Sequence, residues 1–313
     1  MDSAKYRALV CAIDRGSISE AALRLGYTPS AVSRMIGTLE AEHGFPLLLR
    51  SKSGVVPTAE CQRLLPLIRS ILAEVETLWQ SSRQISGCLS GTVTIATAYS
   101  AYYDLISRVI GSFQAKYPGI AVEIADGGYS SELVERLAKQ QIDLAILSQR
   151  EGEISFTPLR QDELVVLLPE AHPCAALERA PLSVLEREPY IDTYPGKDTD
   201  NQRMLRRNGI SPRTAYVTSD VYATCATVKA GLGVGLLNWI GSGFAEEGVH
   251  VLPLDPPQRV WIGVAARRQP APAAGLFREA LLEAVGGEVE TGAPPVTGGA
   301  RRRPCPHDTS NTG

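Results

Sequence analysis

No apolar run in this 313-residue chain reaches the roughly 18 residues a membrane-crossing helix needs, so neither an integral anchor nor a membrane partner is expected. No secretory signal peptide opens the sequence, and a cytoplasmic protein is expected. The six cysteines, at positions 11, 61, 88, 174, 225 and 305, include no Cys-x-x-Cys pair. Their scatter argues against a zinc site or a disulfide framework and predicts small, mostly buried hydrophobes in a reducing compartment. Positive charge is not in excess: 31 Lys and Arg stand against 34 Asp and Glu, a net charge of -3. A whole-molecule electrostatic grip on nucleic acid is therefore excluded. Contact with DNA would need a local basic face, which Lys5, Arg7, Arg24, Arg34, Arg50 and Lys52 can supply near the amino end. No Ser/His/Asp or Cys/His arrangement, no acid pair of defined spacing and no metal-ligand cluster can be named. Neither catalysis nor a metal or cofactor is expected.

What the chain does have is periodicity. Tyr6, Leu9, Val10 and Ile13 recur at i, i+3, i+4, i+7, as do Ile18, Ala21, Ala22 and Leu25, and again Val32, Met35, Ile36 and Leu39. Three short amphipathic helices therefore follow one another between Tyr6 and Glu40. Ser17 with Glu20 predicts a capping box for the second, and Thr28-Pro29 supplies an N-cap and a first-turn proline for the third. Only Gly26-Tyr27 is left for the turn. With its apolar stripe on a small core, the third helix turns Ser30, Ser33, Arg34, Gly37 and Thr38 outward. Short hydroxyl side chains let a helix backbone approach a major groove, and Arg34 offers a fork of donors to guanine or phosphate. Gly37 costs about 1 kcal/mol in a helix, which hints at close approach. A plain solvated face is the competing reading, weakened by two preceding helices and caps in register. The layout is a helix-turn-helix for double-stranded DNA, with Ser17, Thr28, Pro29, Ser30, Ser33, Arg34 and Thr38 as candidate contacts.

Gly44 to Leu49 and Val55-Val56 then flank Arg50-Ser51-Lys52-Ser53-Gly54, a short hairpin with a basic tip. As a wing it would set Arg50 and Lys52 on backbone phosphates; an ordinary solvated turn is the alternative. Thr58 caps a long helix in which Cys61, Leu64, Ile68, Ile71, Val75 and Leu78 alternate at spacings of three and four, with Leu65, Leu72 and Trp79 as a second line. This broad apolar face predicts a partner helix from another subunit, with packing on its own chain as the rival. Pro66 predicts a kink. Ser81 to Gly91 reads as a hinge-like connector.

From Thr92 the rhythm becomes strand then helix, implying a mostly parallel sheet. Strands are expected at Thr92–Thr97, Ile120–Ala125, Asp143–Leu147, Leu164–Leu168, Tyr190–Tyr194, Thr214–Thr218 and Val260–Ala266. Helices are expected with Tyr102 to Phe113, with Leu133 to Leu137, and with Leu276 to Val285. Two α/β lobes joined by crossing strands make a cleft. Ligands of open α/β sheets lie beyond the carboxyl ends of strands, here Thr97, Tyr99 and Ser100, then Gly128, Tyr129 and Ser130, then Thr193, Tyr194, Ser219 and Asp220. Hydroxyls and helix amino ends favour an anion, so a small carboxylate with an apolar or aromatic part stacked on a Tyr is the expected effector. Ser100, Ser130 and Ser219 have plain N-capping as an alternative. Gly231-Leu232-Gly233-Val234-Gly235 lacks the spacing of a nucleotide loop and reads as a helix C-cap. His172 is expected in an exposed loop, and Asp143 in a cap or loop hydrogen bond. From Gly286 the composition predicts a disordered tail, its Arg301-Arg302-Arg303 solvated or brushing DNA.

Gly16-Ser17-Ile18-Ser19-Glu20-Ala21-Ala22, Thr28-Pro29-Ser30-Ala31-Val32-Ser33-Arg34-Met35-Ile36, Leu39-Glu40 and Leu47-Leu48-Leu49-Arg50 together resemble the LysR-type transcriptional regulators. Phe113-Gln114-x-x-Tyr117-Pro118, Ile142-Asp143-Leu144-Ala145-Ile146, Ala171-His172-Pro173 and Val228-x-Ala230-Gly231-Leu232-Gly233-Val234 extend the resemblance over most of the chain. Leu48 stands where the family usually has Phe, and Cys61 where it usually has Gly, departures that touch packing of the wing and the start of the linker. The resemblance implies an α/β protein with an N-terminal winged helix-turn-helix, a long linker helix that dimerises, and a two-lobed periplasmic-binding-protein-like effector domain. The corresponding boundaries are 1–58 for DNA binding, 59–90 for linker and hinge, and 91–286 for the effector domain, with 287–313 as tail. Lobe 1 takes about 91–162 and 259–286, and lobe 2 about 163–258.

The expected function is a homodimeric or homotetrameric transcription factor. Cleft closure on a small-molecule effector would change the placement of subunits and so the spacing or bending of the DNA they hold. An α/β enzyme with accessory helices and a solute-binding protein are the alternatives. The first lacks a catalytic constellation, and the second a signal peptide.

Overall fold

The computed structural model describes residues 3–51, 54–85, 90–245 and 247–286. Lys52, part of the Ser81–Gly91 connector and the tail from Gly287 lie outside the described residues.

Helices α1 (Ser3–Arg15), α2 (Ile18–Leu25) and α3 (Pro29–His43) open the chain. Ala8, Ala12, Ala21 and Ala22 let them pack closely around Leu9, Val32, Ile36 and Leu39, all buried. The Glu20 N–H donates to Ser17 Oγ at 3.3 Å. The Ser17 N–H, however, is already spent on Ala12 O at 3.1 Å, so only half of the expected capping box forms. Thr28 Oγ caps α3 through the Ala31 N–H at 3.2 Å, with Pro29 in the first turn. Strands β1 (Leu48–Ser51) and β2 (Gly54–Pro57) pair antiparallel. The turn end of the hairpin is tied to the α1–α2 turn, because the Val55 N–H donates to Gly16 O at 2.9 Å. A Cβ on Gly54 would lie 2.3 Å from that oxygen, and its φ is +124°, so this position requires glycine.

Helix α4 (Ala59–Ile85) begins at Thr58, whose Oγ accepts from the Cys61 N–H at 3.1 Å and donates to Pro46 O at 2.9 Å. It continues through Pro66. The apolar lines read as one intersubunit seam divide in space. Cys61 and Ile68 are buried, and Leu64, Leu65 and Leu72 half-buried, against the chain's own N-terminal core. Leu67, Ile71, Leu78 and Trp79 stand outward, Leu78 being 66 % exposed. Packing on its own chain therefore accounts for the first half of the line.

The remaining chain is β3 (Gly91–Thr97), α5 (Tyr103–Lys116), β4 (Ile120–Ile124), α6 (Ser130–Ala138), β5 (Leu144–Ser148), β6 (Ile154–Pro169), β7 (Ala180–Pro181), α7 (Val184–Arg187), β8 (Tyr190–Thr193), α8 (Asp200–Arg207), β9 (Thr214–Thr218), α9 (Val221–Lys229), β10 (Val234–Asn238), β11 (Val249–Asp255), β12 (Arg259–Arg267) and α10 (Pro272–Gly286). The strand order is β4-β3-β5-β12-β6-β10-β8-β9, with β11 between β6 and β7. Pairing is parallel within β4-β3-β5 and within β10-β8-β9. The expectation of a mostly parallel sheet fails at the seam between lobes. There β12 runs antiparallel to β5 and β6, and β6 antiparallel to β10 and β11, because the chain crosses out along one strand and returns beside it. The first half of β6 pairs with β12 in lobe 1, and the second half with β10 and β11 in lobe 2.

Phe113 and Phe277 meet edge to face, centroids 5.0 Å apart, joining α5 and α10 over one face of the lobe 1 sheet. Leu133 and Leu137 of α6 cover the other face. Lobe 2 closes around Tyr190, Leu205, Leu236 and Leu252. His172 departs from its expected exposed loop: its side chain is 9 % exposed, and Nδ1 accepts from the Cys174 N–H at 3.1 Å, capping a 3-10 turn. Asp143 accepts from the Thr94 N–H at 2.8 Å, and burial raises its carboxyl above the usual range.

Candidate functional site

The outer face of α3 presents Ser30, Arg34 and Gly37 to solvent, while Ser33 and Thr38 are half-buried. The path out of α3 is set by Glu40, whose Oε1 accepts the N–H groups of Leu47 at 2.9 Å and Leu48 at 3.2 Å. That contact aims β1 so that Arg50 Nη1 reaches Ser33 Oγ at 3.0 Å, bracing the wing on the helix. Thr38 Oγ donates back to Arg34 O at 2.9 Å, and Thr28 Oγ lies 3.0 Å from Ser30 Oγ as well as capping the helix. Ser17 is likewise occupied as a cap, and Pro29 is exposed in the first turn. Among the described residues nothing pairs with the Arg34 guanidinium. Tyr27, 44 % exposed in the turn, joins this face and was not singled out from sequence; an aromatic ring in a two-residue turn was the available signal.

Between the lobes lies a cavity of about 660 Å³. Thr97, Tyr99, Ser100, Gly128, Tyr129 and Ser130 line it from lobe 1, and Thr193, Tyr194 and Asp220 from lobe 2, all nine predicted from strand ends. Ser219 is exposed and absent from the lining. None of the three serines is an N-cap. Asp220 caps α9 through the Ala223 N–H at 2.7 Å, and α6 follows Tyr129 with no side-chain cap, leaving its amino end toward the cavity. Tyr194 adopts a left-handed backbone with φ +63°, a strained conformation for an aromatic residue that places it in the lining. Lys197 Nζ sits 5.5 Å from the centroid of the Tyr129 ring.

Strand-end reasoning missed a buried polar cluster in this cleft. Arg150 and Asp200, with side chains 4 % and 6 % exposed, pair at 2.8 Å. Tyr99 Oη donates to Asp200 Oδ2 and Ser148 Oγ to Asp200 Oδ1, both at 2.7 Å. Burial, reinforced by the Asp200 charge, holds the Tyr99 hydroxyl well above its ordinary range. Asp198 accepts from Ser131 Oγ at 2.7 Å, and its bonds to Arg203, Ser131 and Arg206 hold its carboxyl well below the usual range. The same strand-end rule extended to β5 points to Ser148 and Arg150. Deeper in the crossing strands, burial pushes the Asp162 carboxyl up to about 6 against the pull of the Ile240 N–H at 3.4 Å and the Arg160 guanidinium at 3.9 Å. Among the described residues no group of three His, Cys, Asp or Glu converges as a metal site, and no helix is long and apolar enough to cross a membrane.

Residues 4–62 match the family described as bacterial regulatory helix-turn-helix protein, lysR family, and residues 86–286 match the LysR substrate binding domain. The chain belongs to the LysR family of transcriptional regulators. This LysR-family protein is thus a regulator of transcription and not an enzyme, and regulators of its family bind DNA and form oligomers. It is 27 % identical to the HTH-type transcriptional regulator YvbU of Bacillus subtilis over 92 % of this chain and all of that protein. It is 22 % identical to the malonate utilization transcriptional regulator of Klebsiella pneumoniae, over 79 % of this chain and 82 % of that one. A full-length OxyR variant from Pseudomonas aeruginosa shares the fold at a TM-score of 0.71 and 18 % identity, covering 91 % of this chain and 94 % of its own.

Proposed function

We propose that this LysR-family regulator acts in the cytoplasm as a homo-oligomer whose hold on double-stranded operator DNA answers to a small carboxylate. Ser30, Ser33, Arg34 and Thr38 face the major groove, Arg50 and Lys52 rest on phosphates, and Ser17, Thr28 and Pro29 position the helix for them. The exposed stripe of Leu67, Ile71, Leu78 and Trp79 on α4 takes the equivalent helix of a second subunit, as a homodimer or homotetramer.

The observation that carries the effector reading is the interlobe cavity of about 660 Å³, a size suited to a small metabolite. Thr97, Tyr99, Ser100, Gly128, Tyr129, Ser130, Thr193, Tyr194 and Asp220 are its proposed contacts; Ser219 is not. The uncapped amino end of α6 and Lys197 favour an anionic group, and Tyr129 and Tyr194 an apolar or aromatic body. A relative named for the use of malonate, itself a small carboxylate, points the same way.

Gel-shift titration on the chain's own upstream intergenic DNA, at two salt concentrations and with Arg34→Ala beside the wild type, tests the DNA half. Saturable, sequence-selective binding lost in the variant supports it. Binding indifferent to sequence and to Arg34 defeats it. A thermal-shift panel of metabolites tests the effector half, which fails where only cations or sugars stabilise the protein.

A further inference from the structure

Three hydrogen-bond donors on lobe 1 converge on a carboxylate that belongs to lobe 2. Arg150 Nη2 reaches Asp200 Oδ1 at 2.8 Å, Ser148 Oγ reaches the same oxygen at 2.7 Å, and Tyr99 Oη reaches Oδ2 at 2.7 Å. We propose that this cradle is a carboxylate-binding site whose resident is the protein's own Asp200, and that its occupancy latches the two lobes together.

Apart from Asp200 the direct partners of Arg150 all belong to lobe 1, although one of them, Ser131, is tied in turn to lobe 2 through Asp198 Oδ2 at 2.7 Å. Arg150 Nη1 donates to Ser148 Oγ at 2.7 Å and to Gln149 O at 3.0 Å, and Nε donates to Ser131 Oγ at 3.2 Å. Only Nη2 is pledged across the cleft, so the guanidinium keeps its place when Asp200 leaves. Ser130 Oγ accepts from the Ser148 N–H at 3.0 Å, fixing the end of β5 against the first turn of α6. These donors supply charge and directed hydrogen bonds, the combination that suits a carboxylate.

Tyr99, Ser130, Arg150 and Asp200 also line the interlobe cavity, so a carboxylate entering from solvent meets two of the cradle's donors, Tyr99 and Arg150, while Ser148 is fully buried and outside the lining. Such a carboxylate must compete with Asp200, whose tether gives it a high effective concentration. A bare anion therefore loses that contest, and a ligand wins it only when further contacts, such as an apolar body against Tyr129 and Tyr194, add to its carboxylate. An effector that takes the cradle releases Asp200 and loosens the lobes; one bound elsewhere in the cavity leaves them latched. The cradle and latch stand whatever the effector is, and only this competition rests on the carboxylate reading above.

Chemical rescue in the full chain tests the site. Asp200→Ala empties the cradle and leaves a buried Arg150 without its counter-charge, and its Tm should fall by roughly 6–20 °C. About 0.1 M sodium formate should return roughly 3–5 °C to this variant relative to chloride at equal ionic strength, and nothing to the wild type. Equal effects of formate and chloride on the variant would overturn the cradle. A wild-type melting temperature for Asp200→Ala would overturn the latch. Should Asp200→Ala not fold, a double-substitution cycle decides: Tyr99→Phe and Asp200→Asn must be strongly non-additive, and additive losses refute the coupling. Formate rescue without any hit from the metabolite panel would sink the effector reading alone, and a panel hit without formate rescue would sink the cradle alone.

Discussion

Two arginines of the same chain are held in opposite ways. Arg34 stands exposed on α3, and among the described residues nothing pairs with its guanidinium, whereas Arg150 in the cleft spends its donors on Ser131, Ser148, Gln149 and Asp200. The first surface keeps hydrogen-bonding capacity for something outside the molecule. The second has satisfied its polar groups within the fold, so that ordering them costs nothing further on binding. Removing a buried, paired charge strands its partner out of water, but removing an exposed, unpaired one strands nothing. Stability should therefore be sensitive at the cleft and indifferent at the helix, with the reverse for DNA affinity.

The largest effect on stability should come from Arg150→Met, which leaves Asp200 buried without its counter-charge. Denaturant unfolding should show a loss of about 3–5 kcal/mol, and a loss under about 1 kcal/mol would erase the contrast. Next comes Asp162, a buried carboxylate whose cation, Arg160, stands 3.9 Å away, beyond hydrogen-bond reach. Its folded pKa of about 6 lies above its ordinary 3.8. Folding therefore favours the protonated form, and the stability this contributes is full below the ordinary value and lost as pH rises through about 6. Asp162→Asn should remove that dependence, gaining on the wild type by up to roughly 3 kcal/mol between pH 4 and 8. A constant offset between the two pH profiles would mean Asp162 does not titrate as its burial requires. The opposite sign applies to Asp198, whose lowered pKa contributes stability above the ordinary range that is lost as pH falls.

Arg34→Ala should cost about 1–3 kcal/mol of operator affinity in gel shifts, relax sequence choice, and leave unfolding within about 0.5 kcal/mol of wild type. A large stability change there would show the side chain to be structural. Thr28→Ala should remove about 1 kcal/mol of stability by uncapping α3, readable in the denaturation midpoint. The smallest effect belongs to truncation after Gly287, which should leave operator affinity nearly unchanged in the same gel-shift assay.

The helical N-terminal unit was legible because its signals are local: the apolar stripes, Thr28-Pro29 and the turn at Gly26-Tyr27 all act within a few residues. Even there Ser17 yielded only half a capping box, since a backbone carbonyl five residues upstream claimed its N–H. Nine cavity residues followed from one rule about strand ends. Arg150 and Asp200 did not, because their pairing spans 50 residues and depends on how the lobes meet, which no local pattern encodes. The first half of β6 escaped for a different reason. Ser155-Phe156-Thr157-Pro158-Leu159-Arg160-Gln161-Asp162-Glu163 has neither clean alternation nor an apolar run, and its pairing with β12 is what makes it a strand. The division of the α4 seam was hidden because an apolar stripe does not say which surface will cover it.

Strand β6 is continuous from one lobe into the other, with Glu163 opposite Arg259 and the Leu164 N–H donating to Gln258 O at 2.7 Å where the chain crosses. Mechanically this is a flexure, not a bearing. Rocking the lobes bends a shared ribbon and requires no surfaces to slide or part along it. The compliance of the domain and the contact that locks it then reside in different places, so sequence change at the mouth of the cleft can reset the threshold for movement without redesigning the joint that moves.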